Sequence, residues 1–372
     1  MTADADIRLA TRGSDLALRQ ATAVKSQLDS RRREVTLTEV DTTGDQLRDE
    51  LIHRLGKTGA FVRALDEKVL AGDLDAAVHS MKDMPTEMPD DLVVAGVPER
   101  APSGDVLVTP DGSDLDQLSP EAVVGTSSLR RRAQLLAARP DLEIVPLRGN
   151  VDTRLEKLLA PALQRDHQRL VDAEEDGDEA QDPDEWFNER SGIERDALER
   201  RVETEMDAIV LAEAGLRRSG LYDEVPTARL PTNSFVPSPG QGAIAVTASE
   251  GDVVATIQEA LDHPRSRIET TVERTVLAEV GGGCIAPIGV SAMLQGEYVQ
   301  TRAQILSHDG SEVIEATRDL PVANHASAAA DFAADLRDRG AAEVIAEARE
   351  IAEADADSDE GGADTVMGGE DA

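Results

Sequence analysis

The chain has 372 residues, 74 acidic against 38 basic side chains, a formal net charge of −36 at pH 7, 40% hydrophobic residues and one cysteine. That length supports two or three separate cores, the lone thiol excludes an internal disulfide, and no stretch approaches the roughly 18 apolar residues of a membrane span. The charge disfavours a basic nucleic-acid surface, and with lysine only at Lys25, Lys57, Lys68, Lys82 and Lys157 it fits a halophilic surface, in molar salt that shrinks the Debye length to about 3 Å.

The start, Met1 to Asp6, is acidic and lacks the basic and apolar regions of a signal peptide, which predicts cytoplasmic residence. Ile7–Thr11 alternates like a strand, Arg12-Gly13-Ser14 turns, and Leu16, Ala17, Gln20, Ala21, Val24 and Leu28 recur at helical spacing, with Ser14 as N-cap. Val35–Val40 returns as a strand, giving the strand-helix-strand unit of a parallel sheet. Arg12 and Ser14 then lie at a helix N-terminus, which favours an anion; a plain surface arginine pairing with Asp15 is the alternative. Thr42 to Asp45 reads as a turn. Gly56-Lys57-Thr58-Gly59 is a glycine-bracketed loop without P-loop spacing, so no nucleotide is implied.

The strand Asp75–Val78 runs into His79-Ser80-Met81-Lys82-Asp83-Met84-Pro85, beyond a strand's carboxyl end, where open parallel sheets bind ligands. Asp83 suits a general acid or the stabilisation of a developing cation, and Lys82 suits a substrate acid; a capped, exposed turn is the alternative. After Leu92–Val97 the pattern restarts, with a boundary near 99–104. Val123-Val124-Gly125-Thr126-Ser127-Ser128-Leu129-Arg130-Arg131-Arg132 reads as strand, hydroxyl-rich turn and helix start, and Leu142–Leu147 leads into Arg148-Gly149-Asn150, with Arg154 a turn later. Arginines recurring at strand ends of a strongly acidic chain point to a carboxylate ligand.

From about 160 to 205 the chain becomes acidic and loses its core pattern, which reads as an inserted loop or mobile helix without chemistry. Asp207–Ala212 resumes as a strand. Ser238-Pro239-Gly240-Gln241-Gly242 is a tight turn in which Gln241 is either a hinge hydrogen-bonder or an ordinary loop residue. A third unit starts near Pro264: helix Glu269–Val280, the loop Gly281-Gly282-Gly283-Cys284, strands Ile288–Leu294, Tyr298–Leu306 and Glu312–Asp319, and helix His325–Ala346. Cys284 reads equally as buried packing or as a reactive group that three glycines leave accessible. The acidic tail from 353 to 372 is expected to be disordered.

Six strings in order, Ala10-Thr11-Arg12-Gly13-Ser14, Val78 to Pro85, Gly125 to Arg131, Leu147 to Val151, Gly240-Gln241-Gly242 and Gly282-Gly283-Cys284, resemble the porphobilinogen deaminase (hydroxymethylbilane synthase) family from Ile7 to about Ala352. The resemblance implies an α/β fold of three domains: domain 1 over 1–99 plus about 241–260, domain 2 over 104–236 with the insertion, and a small α+β domain 3 over 264–352. The first two would be like type II periplasmic binding proteins, with mixed, mostly parallel sheets. It implies a monomeric cytoplasmic transferase of porphyrin and heme biosynthesis that polymerises four porphobilinogen molecules to hydroxymethylbilane with loss of ammonia, without metal, nucleic acid or membrane, and passes its product to uroporphyrinogen-III synthase. A dipyrromethane cofactor would join Cys284 by a thioether.

By the same resemblance Asp83, Lys82, Arg12 and Gln241 are catalytic. Ser14, Ser80, Lys57, Thr126, Ser127, Ser128, Arg130, Arg131, Arg148, Asn150 and Arg154 bind the cofactor. The family places a lysine directly before its loop glycine, whereas here Thr58 stands there and Lys57 precedes it. A two-lobed binder of polycarboxylates is the rival from another class, and it would need neither Cys284 nor Asp83. An interaction protein acting through the acidic insertion is a third reading.

Overall fold

Alternating short apolar strands and amphipathic helices build three sheets in the computed structural model, which describes residues 6–31, 33–40, 60–176, 181–282 and 286–351. The first lobe holds β1 (Ile7–Thr11), α1 (Asp15–Leu28), β2 (Val35–Glu39), α2 (Ala60–Leu70), β3 (Ala76–Ser80) and β4 (Leu92–Gly96). The second holds β5 (Asp105–Val108), β6 (Val123–Gly125), α3 (Leu129–Ala138), β7 (Glu143–Val145), α4 (Val151–Asp176), α5 (Pro183–Asn188), α6 (Gly192–Leu198), β8 (Ala208–Ala212), α7 (Glu213–Arg218) and β9 (Thr227–Arg229). The chain then returns as β10 (Ile244–Ser249) and α8 (Asp252–Leu261).

The sheet orders are β2-β1-β3-β10-β4 and β7-β6-β8-β5-β9. These are one topology used twice. In each lobe the fourth strand, β10 or β5, enters by a connection from the other lobe and runs antiparallel to its neighbours, while the first three strands pair in parallel. This mixed, mostly parallel arrangement with exchanged strands is that of type II periplasmic binding proteins. Both faces of each sheet are covered, which explains strands that read as continuous apolar runs. In the first lobe Leu28 and Ile257 seal one face and Leu65 and Val69 the other.

The third unit is α9 (Pro264–Glu279), the antiparallel sheet β11 (Ile288–Gln295), β12 (Tyr298–Leu306) and β13 (Val313–Pro321), and α10 (His325–Asp338). Val276, Ile305, Phe332 and Leu336 fill its core. Two expectations change. The final helix does not run unbroken to Ala346: Gly340, at φ 91°, ends it, and a separate helix, α11, follows over 341–351. Nor is 160–205 loose throughout. Helix α4 continues through Pro161 to Asp176, Ile193 and Ala197 of α6 are buried in the lobe core, and the Gln164 Nε2 donates to the carbonyls of Leu198 and Arg200 at 3.1 and 2.7 Å. Burial of a few apolar positions outweighs the acidic composition there.

Candidate active site

The carboxyl edge of the first sheet brings β1 and β3 side by side. Ser80 ends β3, and Met81–Asp83 forms a single 3-10 turn beyond it. Met81 is buried and its N–H donates to Ala243 O at 3.0 Å, so Lys82 and Asp83 hang from an anchored residue, Asp83 exposed and Lys82 partly so. The Ser80 hydroxyl donates to Oε1 of the buried Gln20 at 3.1 Å. Ser14 caps α1 by accepting from the Ala17 N–H, and half-buried Arg12 follows β1 directly. The structure therefore brings Arg12, Ser14, Ser80, Lys82 and Asp83 to one sheet edge.

The second lobe contributes its own carboxyl edge. Ser128 caps α3, accepting from the Arg131 N–H, while Thr126 Oγ1 accepts from the Ser128 N–H at 3.2 Å. The Ser127 hydroxyl donates to Leu147 O at 2.8 Å and accepts from the Leu147 N–H at 3.0 Å, which ties the exit of β6 to that of β7. Arg148 and Asn150 flank Gly149, whose φ of 115° favours glycine. From the first turn of α4, Arg154 Nε donates back to Gly149 O at 2.8 Å.

Charge links the two edges. Burial, with the nearby Arg131 and Arg154, pushes the Lys82 ammonium below its ordinary value, and Asp83 and Asp105 only partly oppose this. Arg154 is brought down to about 10 by burial and then by Arg131, with Asp83 opposing. Lys82 and Arg154 are thus both weakened by burial and by neighbouring guanidinium groups, and the carboxylate that opposes both, Asp83, is exposed. Such a cluster favours a multiply anionic ligand.

Behind the cleft the charges are directly paired. Asp105, at the start of β5, is ion-paired at 2.8 Å to Arg130 and at 2.7 Å to Arg131. Burial would raise its carboxyl, but the two guanidinium groups outweigh that and hold it well below the usual carboxylate range. Arg130 also donates to Gln134 and to Val236 O, so its place is in this network. Gln241, expected among the catalytic groups, is buried at the crossover: its amide donates to Ser103 O, Gly104 O and Asp105 Oδ1. The neighbouring Gly242 takes a φ of 85°, and a Cβ there would lie 2.5 Å from Ala101 O. The fully buried Glu273 of α9 accepts both arms of Arg100 at 2.8 Å, the Gly240 N–H and the Ala292 N–H, so one carboxylate joins the crossover to the third unit.

Cys284 and Lys57 lie outside the described residues, as do the predicted turn at 42–45 and the tail from 353. The described flanks of the cysteine loop are Gly282 and Ala286, both buried. Asp105, Glu273, Gln20 and Arg218 are the participants that sequence reasoning missed. Arg218 donates to Gly242 O at 2.7 Å, and its guanidinium is destabilised by burial alone. The only sequence signal for Asp105 was an acid opening an apolar strand.

The family model described as "Porphobilinogen deaminase, dipyromethane cofactor binding domain" matches residues 7–167 and 190–256, and that described as "Porphobilinogen deaminase, C-terminal domain" matches 267–338. A "Probable porphobilinogen deaminase" of Halobacterium salinarum is 51% identical, covering 92% of this chain and 98% of its own. The "Porphobilinogen deaminase" of Sulfurimonas denitrificans is 36% identical, covering 93% and 98%. The solved methionine binding protein MetQ is 13% identical over 68% of this chain and 89% of its own, with a TM-score of 0.34, too loose a likeness to add to the topology.

Proposed function

Because the chain belongs to the porphobilinogen deaminase family, transferases that polymerise four porphobilinogen molecules to hydroxymethylbilane on a dipyrromethane cofactor, we propose that the chemistry runs at Asp83 between the two cationic sheet edges. The observation that carries this is the lowering of Lys82 by burial and by Arg131 and Arg154, and of Arg154 by burial and by Arg131, beside one exposed carboxylate, Asp83. The described residues fit a dipyrromethane, since a polycarboxylate supplies the negative charge this cluster lacks. Lys82, Arg131, Arg148 and Arg154 would hold its acid groups, with Arg12 and the hydroxyls of Ser14, Ser127 and Ser128 around them, and Cys284 would be the attachment atom. When bound, the group supplies the pyrrole end to which units are added.

Each incoming porphobilinogen brings an acetate and a propionate, which the arginines orient by paired, charge-assisted hydrogen bonds. Its aminomethyl C–N bond breaks, ammonia leaves, and positive charge develops on the methylene-pyrrole. Asp83, fixed on an anchored turn, stabilises that charge; a single preorganised group of this kind is worth roughly 10²- to 10³-fold in rate. When bound, the dipyrromethane would supply the pyrrole carbon that takes the new unit, and the proton displaced there would pass to the departed ammonia or to solvent. Asp105, Glu273 and Gln241 act by holding the lobes in register. The described cleft is assembled from elements of one chain, which supports activity as a monomer; cytoplasmic residence and passage of the product to uroporphyrinogen-III synthase rest on the family resemblance alone.

The two-lobed topology also suits a binder of polycarboxylates that catalyses nothing. Intact mass and an Ehrlich colour test on purified protein separate the readings. The enzyme carries two pyrrole rings on Cys284, loses them in Cys284→Ser, and releases ammonia from porphobilinogen; a binder shows the unmodified mass and no ammonia.

A further inference from the structure

Helix α9 leads directly into the loop of Cys284, and its cleft-facing contacts reach into the first lobe. Arg267 donates to Val94 O and Ala95 O at 3.0 and 3.2 Å, tying the helix to β4. Two turns later, on the same face, Arg274 takes hold of the turn that carries Lys82 and Asp83. Its NH1 donates to Met81 O and Met84 O at 3.4 and 3.3 Å, and its NH2 donates to Pro85 O at 2.6 Å. These carbonyls lie on either side of Asp83. The turn has one internal backbone bond, from Met84 N–H to Met81 O at 3.1 Å.

A gap separates the helix from the turn at this level. A cavity of about 260 Å³ lies between helix and turn, lined by Met81, Thr86, Thr271, Arg274, Thr275 and Ala278 among others. The guanidinium spans that gap, and water replacing it would satisfy the carbonyls without fixing their distance from the helix. A lysine, with a single ammonium, could not hold all three acceptors in one plane.

We propose that Arg274 is a positioning residue: it fixes the Asp83 turn against helix α9, so that each chain end meets the carboxylate in the same geometry. This rests on the roles given above to Cys284 and Asp83. Misplacement by about 1 Å can cost around 10²-fold in rate, so Arg274→Ala should lower kcat per pyrrole-loaded enzyme at least about tenfold, with KM changed by less than about threefold because the carboxylate-binding arginines are untouched.

The test uses full-length wild type, Arg274→Ala and Arg274→Lys, each measured for pyrrole loading by intact mass, for thermal midpoint and for kcat and KM. Arg274→Lys should keep the wild-type loading and midpoint yet turn over at least about threefold more slowly. Because the cavity is open, low-millimolar methylguanidinium should raise kcat of Arg274→Ala several-fold and leave wild type unchanged. If Arg274→Ala does not fold, Arg274→Lys decides. A kcat per loaded enzyme within twofold of wild type in every variant that folds, or a loss fully explained by poor loading, overturns the proposal. Wild type without bound pyrroles would instead overturn the functional reading on which it stands.

Discussion

The hinge and the cleft are both built from buried or half-buried arginines and carboxylates, yet they are balanced differently. At the hinge crossover, carboxylates and guanidinium groups are directly ion-paired: Asp105 faces Arg130 and Arg131, and Glu273 faces Arg100. In the cleft, burial and neighbouring guanidinium groups weaken Lys82 and Arg154, and of the carboxylates opposing them Asp83 is exposed while Asp105 is already engaged by Arg130 and Arg131. Matched charge holds a protein together, whereas unmatched charge waits for a ligand. Arg131 belongs to both regions, and through it the hinge touches the site.

Breaking the matched side should have the largest effect on stability. Asp105→Asn leaves two guanidinium groups buried against a neutral amide and should cost about 3–5 kcal/mol, read as a lower midpoint in denaturant unfolding. In the wild-type protein this carboxyl is held far below its unfolded value, so its stabilising contribution is fully present at neutral pH, declines once the pH drops below the ordinary carboxylate value of the unfolded chain, and is gone below the low folded value. Acid destabilisation through Asp105 should therefore set in within the ordinary carboxylate range and be complete only well below it.

Substitution on the unmatched side should do the reverse. Arg154→Gln removes one charge-assisted contact worth about 1.5–3 kcal/mol, so KM for porphobilinogen should rise roughly 10- to 100-fold. The unfolding midpoint should hold or increase, since a like charge has been relieved. A fall in stability comparable to that of Asp105→Asn would erase the distinction between the two regions.

The smallest expected effect is on the pH profile. With its ammonium pushed below the ordinary 10.5 by burial and by Arg131 and Arg154, Lys82 loses its charge earlier than an exposed lysine as pH rises. The alkaline limb of kcat/KM, which reports the free enzyme, should fall below that value, and Lys82→Arg should move it upward. The limb in kcat should lie higher, because bound carboxylates restore the charge.

Much of the cleft was legible because its signals are local. A strand running into His79-Ser80-Met81-Lys82-Asp83, and a hydroxyl turn running into Arg130-Arg131, announce strand ends and helix starts whatever they pack against. The hinge was not legible, because its meaning lies in partners far apart in sequence: nothing in Arg100 points to Glu273, and nothing in Gln241 points to Asp105. Arg130 and Arg131 read alike as neighbours, and only the fold shows one carboxylate holding both. Likewise the acidic run after Ala160 hides the few apolar residues that keep α4 and α6 packed.

Turnover by Asp83→Asn tests the central claim most directly, measured with intact mass on the same preparation. The account predicts a folded protein still carrying two pyrrole rings, with ammonia release from porphobilinogen reduced roughly 10²- to 10³-fold. Release within a fewfold of wild type from that loaded protein would contradict it.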